Sequence, residues 1–219
     1  MTVTGPDSEV PEALRSLADG RAAVRLRAAL AVGTAPDARY VGALVERCAV
    51  EDEFFVRDML TWALTRHPVA LTLPALVREV GSERARARSQ ALHTLSKIGD
   101  RRAWPAITRE VLTDADEEVA RSAWRAAVLL VPEGREPELA AVLATRLGRG
   151  GRETRLSLSR ALAALGEVVV PVLREAGAGP DPEVRAHALA TERLLRDPDA
   201  GFEAAVEEAK RIVALGGDG

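Results

Sequence analysis

The chain has a single cysteine, Cys48, among its 219 residues. One cysteine excludes an internal disulfide and leaves no second thiolate for a metal site. Cys48 stands beside Val45 and Ala49 in an apolar helical pattern, so we expect a reduced side chain that packs in the core. The alternative is a reactive thiol whose pKa is lowered by the neighbouring Arg47.

Aromatic residues make up only 3% of the chain, although 47% of it is hydrophobic. A core of alanine, leucine and valine allows close helix packing and suits a thin array better than a thick globule. Lysine is scarce too, since only Lys97 and Lys210 are present, and either a compositional bias or selection for arginine chemistry explains the excess of arginine. The net charge of −3 excludes an overall polycation, so nucleic-acid binding would require positive charge segregated onto one face.

Catalytic motifs are absent from the sequence. It contains no H-E-x-x-H, C-x-x-C, G-x-S-x-G or phosphate-binding glycine motif. The histidines His67, His93 and His187 lie far apart, so we expect no metal and no cofactor. No stretch approaches the ~20 apolar residues that span a bilayer, and the first residues lack the pattern of a signal peptide. We therefore expect a cytoplasmic protein without a membrane partner.

A valine-arginine or related pair recurs every 30 to 35 residues and each time opens an apolar helical pattern. A period of this length predicts stacked helical hairpins, because one hairpin cannot bury its apolar face alone. With the arginine as position zero, small or apolar residues follow at positions three, six and seven, on one side of a helix. The residues at position zero are Arg25, Arg57, Arg88, Ala120, Arg155 and Arg185.

Another amphipathic stretch precedes each of these helices, so each repeat is predicted to be a helix A, a short turn and a helix B. The fourth helix A, for example, is predicted over Trp104, Ile107 and Val111. No stretch alternates with a period of two, so no strand is predicted. The sequence predicts an all-α, right-handed α-solenoid that forms one domain over residues 1–219. The six hairpins are expected at 8–34, 35–67, 68–99, 100–132, 133–166 and 167–197, with a C-terminal capping helix at 200–215.

The motif D-x-x-V-R-x-x-A occurs at residues 181–188, and residues 52–57 are a related version. In this the chain resembles HEAT-repeat proteins, particularly the bacterial type found in phycobilisome-lyase-like proteins. The resemblance implies an arginine–acid ladder between neighbouring repeats, which fits five of the six units. Ala120 departs from it, although Arg121 follows directly. Because the family consists of scaffolds for many partners, the resemblance implies a fold and no particular ligand.

Helix B normally lines the concave side of such an array, and its positions one and five point away from the buried face. A solvent-facing tryptophan close to arginines is typical of a binding hot spot, and a different helical phase that buries Trp62 is the alternative. The glycine-rich segment 148–152 opens the fifth helix B and is either a loop insertion or an anion site. The candidate partner-binding residues are Asp58, Trp62, Ser89, His93, Arg121, Arg125 and Arg160.

The leading hypothesis is a non-enzymatic scaffold that binds an acidic or helical segment of a partner protein on this face. The alternative is a DNA repair enzyme, because HEAT-like alkylpurine glycosylases, which the chain resembles much more weakly, use a concave tryptophan, aspartate and arginine. Here those residue types are Trp62, Asp58 and Arg121 or Arg125. The negative net charge makes nucleic acid an unexpected partner. A third class, an accessory protein to a chromophore or cofactor lyase, is suggested by the repeat type alone.

Overall fold

The computed structural model describes residues 6–197 and 202–215. All regular structure in these residues is helical and none is a strand, so the all-α prediction is confirmed. The chain forms two compact units, with the boundary in the sequence between Ala106 and Ile107. The single domain, the repeat boundaries and the right-handed sense of the array stay predictions.

The first unit is built of consecutive helical hairpins. Its helices are α1 (Pro6–Leu17), α2 (Ala22–Thr34), α3 (Val41–Cys48), α4 (Phe54–Arg66), α5 (Val69–Val80) and α6 (Ala85–Ile98), with 3₁₀ helices at Ala38–Tyr40 and Arg101–Ala106. The B helices pack in sequence order, α2 against α4 and α4 against α6, and so do the A helices α1, α3 and α5. This layered order is the one that the repeat period predicts.

The second unit repeats the arrangement. Its helices are α7 (Arg109–Leu112), α8 (Glu117–Leu130), α9 (Glu136–Ala144), α10 (Arg152–Ala164), α11 (Val170–Gly177), α12 (Pro182–Arg196) and α13 (Phe202–Leu215), with a 3₁₀ helix at Gly166–Val169. The B helices α8, α10 and α12 pack on each other in that order, and α13 packs on α12.

Alanine, leucine and valine side chains make up most of the core, as the composition predicts. On α8 four alanines are completely buried, including Ala120 in the place of the motif arginine, and so is Leu130. Trp124 is the largest fully buried side chain in the described part of the chain. Alanine-rich helices can pack closely, because their side chains are short.

The fourth helix A differs from its prediction. The stretch from Trp104 to Val111 is not one helix, because a 3₁₀ helix ends at Ala106 and α7 has only four residues. Pro105 lies inside this 3₁₀ helix, where it removes a backbone donor and disfavours the α conformation of the residue before it. The prediction of a continuous helix was therefore wrong. The apolar period is present, but the proline within it prevents a continuous α-helix.

The motif arginines close the turns of their own repeats. Nη1 of Arg25 donates to the carbonyls of Asp19 and Gly20, at 2.9 and 3.0 Å. Arg57, Arg88 and Arg185 likewise donate to the carbonyls six and five residues before them. These carbonyls belong to the turn residues between helix A and helix B, which have no helical hydrogen-bond partner, so one guanidinium satisfies two of them.

Ion pairs between repeats are present beside these turn contacts. Arg25 makes a two-bond pair with Glu51 of the next repeat, with both N–O distances 2.7 Å. Arg155 pairs with Glu183 at 2.6 Å, and Arg121 pairs with Glu153 at 3.0 Å. Arg121 thus makes the inter-repeat pair that Ala120 cannot make. The turn contact in this repeat is made by Trp124, whose Nε1 donates to the Leu112 carbonyl at 2.8 Å.

Glu51 is a buried centre of contacts in the first unit. Its carboxylate accepts from Arg25, from Nε of Arg47 at 2.9 Å and from the Glu53 backbone N–H. Its carbonyl also accepts from Arg57 and Arg86. Burial alone would raise the pKa of Glu51, but these hydrogen bonds and positive charges outweigh it and lower the pKa to about 2.

Cys48 is the packing residue that the sequence predicts. It is buried, and burial followed by the charge of Glu51 raises the pKa of its thiol to about 12. The smaller opposing effect of Arg47 does not offset these two. A thiol with this pKa is protonated at neutral pH and unreactive, so the alternative of an activated thiol is wrong.

Candidate functional site: an arginine groove on the second unit

A groove with a volume of 590 Å³ lies between α8 and α10 in the second unit. Three of the candidate residues, Arg121, Arg125 and Arg160, line it together. We call it the arginine groove, and its full lining is Glu118, Arg121, Arg125, Val128, Glu153, Leu156, Ser157, Arg160 and Ala161.

Helical spacing explains why these side chains converge. Arg121 and Arg125 are four residues apart and so lie one turn apart on the same side of α8. Arg160 on α10 occupies position five, as Arg125 does on α8. The Asp116 carboxylate caps the start of α8 by accepting from the Glu118 and Val119 amides, at 2.9 and 3.1 Å. Together with the buried Trp124, this cap fixes the rotation of α8 and therefore the direction of its arginines.

The three arginines differ in how much of their charge is compensated. Arg121 is paired with Glu153, whereas Arg125 donates to the neutral Ser122 hydroxyl at 3.1 Å. Among the described residues neither Arg125 nor Arg160 has a carboxylate partner. Burial, followed by the charge of Arg121, lowers the pKa of Arg125, while Glu118 opposes this weakly. A bound anion would relieve both effects, because it would supply a countercharge to a partly dehydrated cation.

The groove also has an apolar component. Val128, Leu156 and Ala161 contribute aliphatic surface to its lining. Leu156 stands at position one of α10, where α8 has Arg121. A groove with both arginines and aliphatic side chains suits an amphipathic ligand better than it suits a small inorganic ion.

The glycine-rich segment does not hold a free anion site. The start of α10 is occupied by Glu117 of the protein itself, whose carboxylate accepts from the Gly151 amide at 3.4 Å and the Thr154 hydroxyl at 2.5 Å. Gly148 and Gly150 have φ angles of 75° and 78°, the left-handed region that glycine adopts readily. The loop-insertion alternative therefore describes residues 148–152 better than the anion-site alternative.

His187 secures this loop to α12. Its Nδ1 accepts from the Gly148 amide at 3.0 Å, so the ring proton is on Nε2, which lies 3.1 Å from the Arg155 carbonyl. The Ser159 hydroxyl is 3.0 Å from the same Nε2 and 2.7 Å from the Thr191 hydroxyl. Burial, more than the nearby Arg155 charge, lowers the pKa of His187 to about 4. A neutral histidine in this network supports α10, and with it one wall of the groove.

The remaining candidates lie in the first unit. Asp58 is exposed and Trp62 is 36% exposed, whereas His93 is half-buried. Ser89 is buried, so its place on an exposed face was predicted wrongly. Helix α6 packs against α3, α4 and α5, and its buried arc is wide enough to include Ser89 at position one. The glycosylase-like combination is divided between the units, with Asp58 and Trp62 in the first and the groove arginines in the second.

Two exposed aromatic residues were missed by the sequence reasoning. Phe54 and Phe55, at the start of α4, are 64% and 74% exposed, and their rings meet edge to face at 5.5 Å. The signal was available in the repeat alignment, since the same positions elsewhere carry small or polar residues such as Ala85 and Glu118. Two large apolar residues at surface positions are informative because the fold does not require them.

Helix α13 covers the last helix B on the face that the arginine groove uses on α8 and α10. Ala186 and Ala190, at positions one and five of α12, are buried in an apolar cluster with Ala209 of α13. Arg193, at position eight, forms an ion pair with Glu208 of α13 at 3.6 Å. The protein therefore already contains one helix lying along positions one, five and eight of a helix B.

The described residues contain no cluster of three or more histidine, cysteine, aspartate or glutamate side chains that could hold a metal ion. In the same part of the chain no single helix is long and apolar enough to cross a membrane. One bent pair, Arg152–Ala164 with Gly166–Gly177, meets the length and composition criteria together.

No protein-family model matches the sequence, and no curated protein matches it. Among solved structures, the complex of CpcE and CpcF of phycocyanin lyase from Nostoc sp. PCC7120 is similar, with a TM-score of 0.48 and 16% identity over 95% of this chain and 90% of that one. Two engineered proteins have TM-scores of 0.47, with 19% identity over 90% of this chain and 97% of the other, and 16% identity over 88% and 99%. Likenesses at these values support no functional conclusion for this chain.

Proposed function

We propose that the protein is a non-enzymatic scaffold that holds an acidic, helical segment of a partner protein in the arginine groove. The observation that carries the proposal is that Arg125 and Arg160, neither with a carboxylate partner among the described residues, line one groove together with aliphatic side chains. A groove of this kind recognises carboxylates by charge and an apolar ridge by burial.

An acidic ligand is supported by the electrostatics, since three arginines and two glutamates line the groove. Arg125 is exposed, and the loss of part of its hydration together with the charge of Arg121 lowers its pKa. A carboxylate at the mouth of the groove would reverse this without moving the helices. Guanidinium–carboxylate contacts of this type favour two parallel hydrogen bonds, which adds orientation to attraction.

A helical ligand is supported by α13. This helix lies on α12 with its aliphatic residues against positions one and five and an acid paired to Arg193. The arginine groove presents the corresponding positions of α8 and α10. A partner helix with leucines along one side and glutamates beside them would make the same kinds of contact in trans.

The test uses two labelled amphipathic peptides of about 18 residues, or five helical turns, with the same leucine ridge. One carries glutamates beside the ridge (the glutamate peptide) and the other carries lysines (the lysine peptide). We expect Arg160→Glu to weaken binding of the glutamate peptide by about tenfold or more, as loss of a charged contact does. Fluorescence anisotropy measures the affinity, at two salt concentrations because exposed charges are screened.

Arg174→Glu is the matched control, because Arg174 is an exposed arginine on helix A of the same unit. It changes net charge by the same amount and should leave the affinity for the glutamate peptide nearly unchanged. Equal losses for Arg160→Glu and Arg174→Glu would mean attraction by net charge alone. Either that result or no binding of the glutamate peptide to the wild-type protein would contradict the proposal.

A further inference from the structure

An apolar stripe interrupted by one acid runs along the exposed side of α4. Phe55, Asp58 and Trp62 are spaced i, i+3 and i+7, which places them on one side of the helix. On α2, which packs against α4, Leu30 is 48% exposed. We call Leu30, Phe55, Asp58 and Trp62 the α2–α4 patch.

Trp62 is held in place by the neighbouring helix. A Cβ atom on Gly33 of α2 would lie 2.3 Å from Cζ3 of Trp62, so the ring edge rests where this glycine lacks a side chain. Leu30 precedes Gly33 by about one turn, so it lies on the same side of α2 as this glycine. An aromatic side chain fixed in this way and still 36% exposed loses little conformational freedom when a partner covers it.

The acid of the patch is uncompensated. Asp58 has no hydrogen-bond or ion-pair partner among the described residues. Glu53, five residues before it at the start of α4, is also exposed, whereas Asp52 is already paired with Arg86 at 2.7 Å. The patch is therefore expected to attract a cationic group of a ligand, whereas the arginine groove is expected to attract an anionic one.

We propose that the α2–α4 patch is a second docking surface and that it binds a basic amphipathic helix of a protein partner. The apolar ridge of that helix covers Leu30, Phe55 and Trp62, and a lysine or arginine beside the ridge meets Asp58. This site is independent of the arginine groove. Its geometry has a counterpart in the same chain, because α13 lies on positions one and five of α12, the positions that Asp58 and Trp62 hold on α4.

The lysine and glutamate peptides test this inference in the intact protein. We expect the lysine peptide to bind and to shift the Trp62 emission to shorter wavelength as the indole leaves water. Trp62→Ala should weaken it by about tenfold or more, the loss typical of a hot-spot aromatic. Asp58→Lys should also weaken the lysine peptide, whereas Arg160→Glu in the other unit should not.

Leu71→Ala is the control for lost apolar surface, since Leu71 is 43% exposed on helix A of the same unit. It should leave binding of the lysine peptide unchanged. The inference is overturned if the wild-type protein does not bind this peptide, if Leu71→Ala weakens it as much as Trp62→Ala, or if Asp58→Lys has no effect. Because Trp62→Ala leaves the glutamate peptide and its groove untouched, this inference and the proposed function fail separately.

Discussion

At the scale of single residues, His187 links the acidity of the solution to the stability of the second unit. The folded protein keeps this ring neutral, since burial lowers its pKa to about 4, whereas an exposed histidine in the unfolded chain has a pKa near ~6.5. Between these values the unfolded chain binds the proton and the folded chain does not. Protonation therefore favours unfolding as the pH falls through this window.

We predict that the free energy of unfolding falls by about 3 kcal/mol between pH 6.5 and pH 4 because of His187 alone. It should be constant above pH 6.5 with respect to this residue. Urea unfolding of the wild-type protein and His187→Gln at several pH values measures the difference. The variant should be less stable at pH 7 and should lack this part of the pH dependence; parallel pH profiles for the two proteins would contradict the prediction.

The exposure of a residue on helix B was predictable where the helix is buried on one side only. It was not predictable where neighbouring helices cover more of its circumference. The helical offset that directs Arg121 into the groove also directs Asp58 to solvent, but on α6 it leads to the buried Ser89. A single-helix pattern contains no information about how many neighbours surround that helix. Phe55 was not predicted for a different reason, since it lies two residues before the motif arginine and not at position one or five.

At the scale of elements, the contact between α2 and α4 depends on Gly33. We predict that Gly33→Ala destabilises the protein by about 1–3 kcal/mol, the usual cost of overpacking. The added methyl group would lie 2.3 Å from the Trp62 ring and 2.9 Å from Cα of Ala63, so either the ring or the helix must move. Thermal unfolding measures the loss, and a changed Trp62 emission reports the displaced ring.

Gly42→Ala on α3 is the matched comparison, because nothing lies within 4 Å of a Cβ atom at that position. Alanine has the higher helix propensity, so this variant should be neutral or more stable by up to about 1 kcal/mol. If both glycine variants changed stability alike, backbone propensity rather than contact with Trp62 would explain the loss at Gly33.

Most of the helices followed from the repeat pattern, although α9 ends before the predicted Leu147 and Val168 lies in a 3₁₀ helix before α11. The B helices have the expected spacing because their apolar positions recur on one side and capping acids such as Asp116 and Asp181 precede them. The fourth helix A is not the continuous helix that was predicted. Its apolar period continues past Pro105, but this proline lacks a backbone donor and interrupts the helical hydrogen bonds. The role of Trp124 as a replacement for the missing arginine could not be predicted, because indole-to-carbonyl contacts have no sequence period.

At the scale of the whole molecule, α13 is the element whose removal tests how far stability spreads along a repeat protein. Deleting residues 198–219 uncovers Ala186 and Ala190 and leaves Arg193 without its carboxylate. We predict a loss of about 1–3 kcal/mol in the second unit. Hydrogen exchange should become faster in α12 and remain unchanged in α2, because repeats contact chiefly their neighbours.

Faster exchange throughout the first unit as well would show that the two units unfold as one, contrary to this prediction.

The sequence predicted stacking because a period of 30 to 35 residues has few other structural solutions. It did not indicate the division after Ala106, since every repeat there continues the same period.

The turn contacts of the motif arginines bear on how a chain of this kind can lengthen or shorten over evolutionary time. A hairpin such as the last one contains both Arg185 and the carbonyls that it satisfies, so a duplicated copy would arrive with its turn already complete. The second hairpin is different, because Glu51 collects donors from Arg25 and Arg86 in the hairpins on either side. Recombination within residues 19–98 would separate these partners and leave buried charge unpaired. Insertions and losses of repeats are therefore expected to be rare within this block, and related chains of different length should share its three hairpins intact.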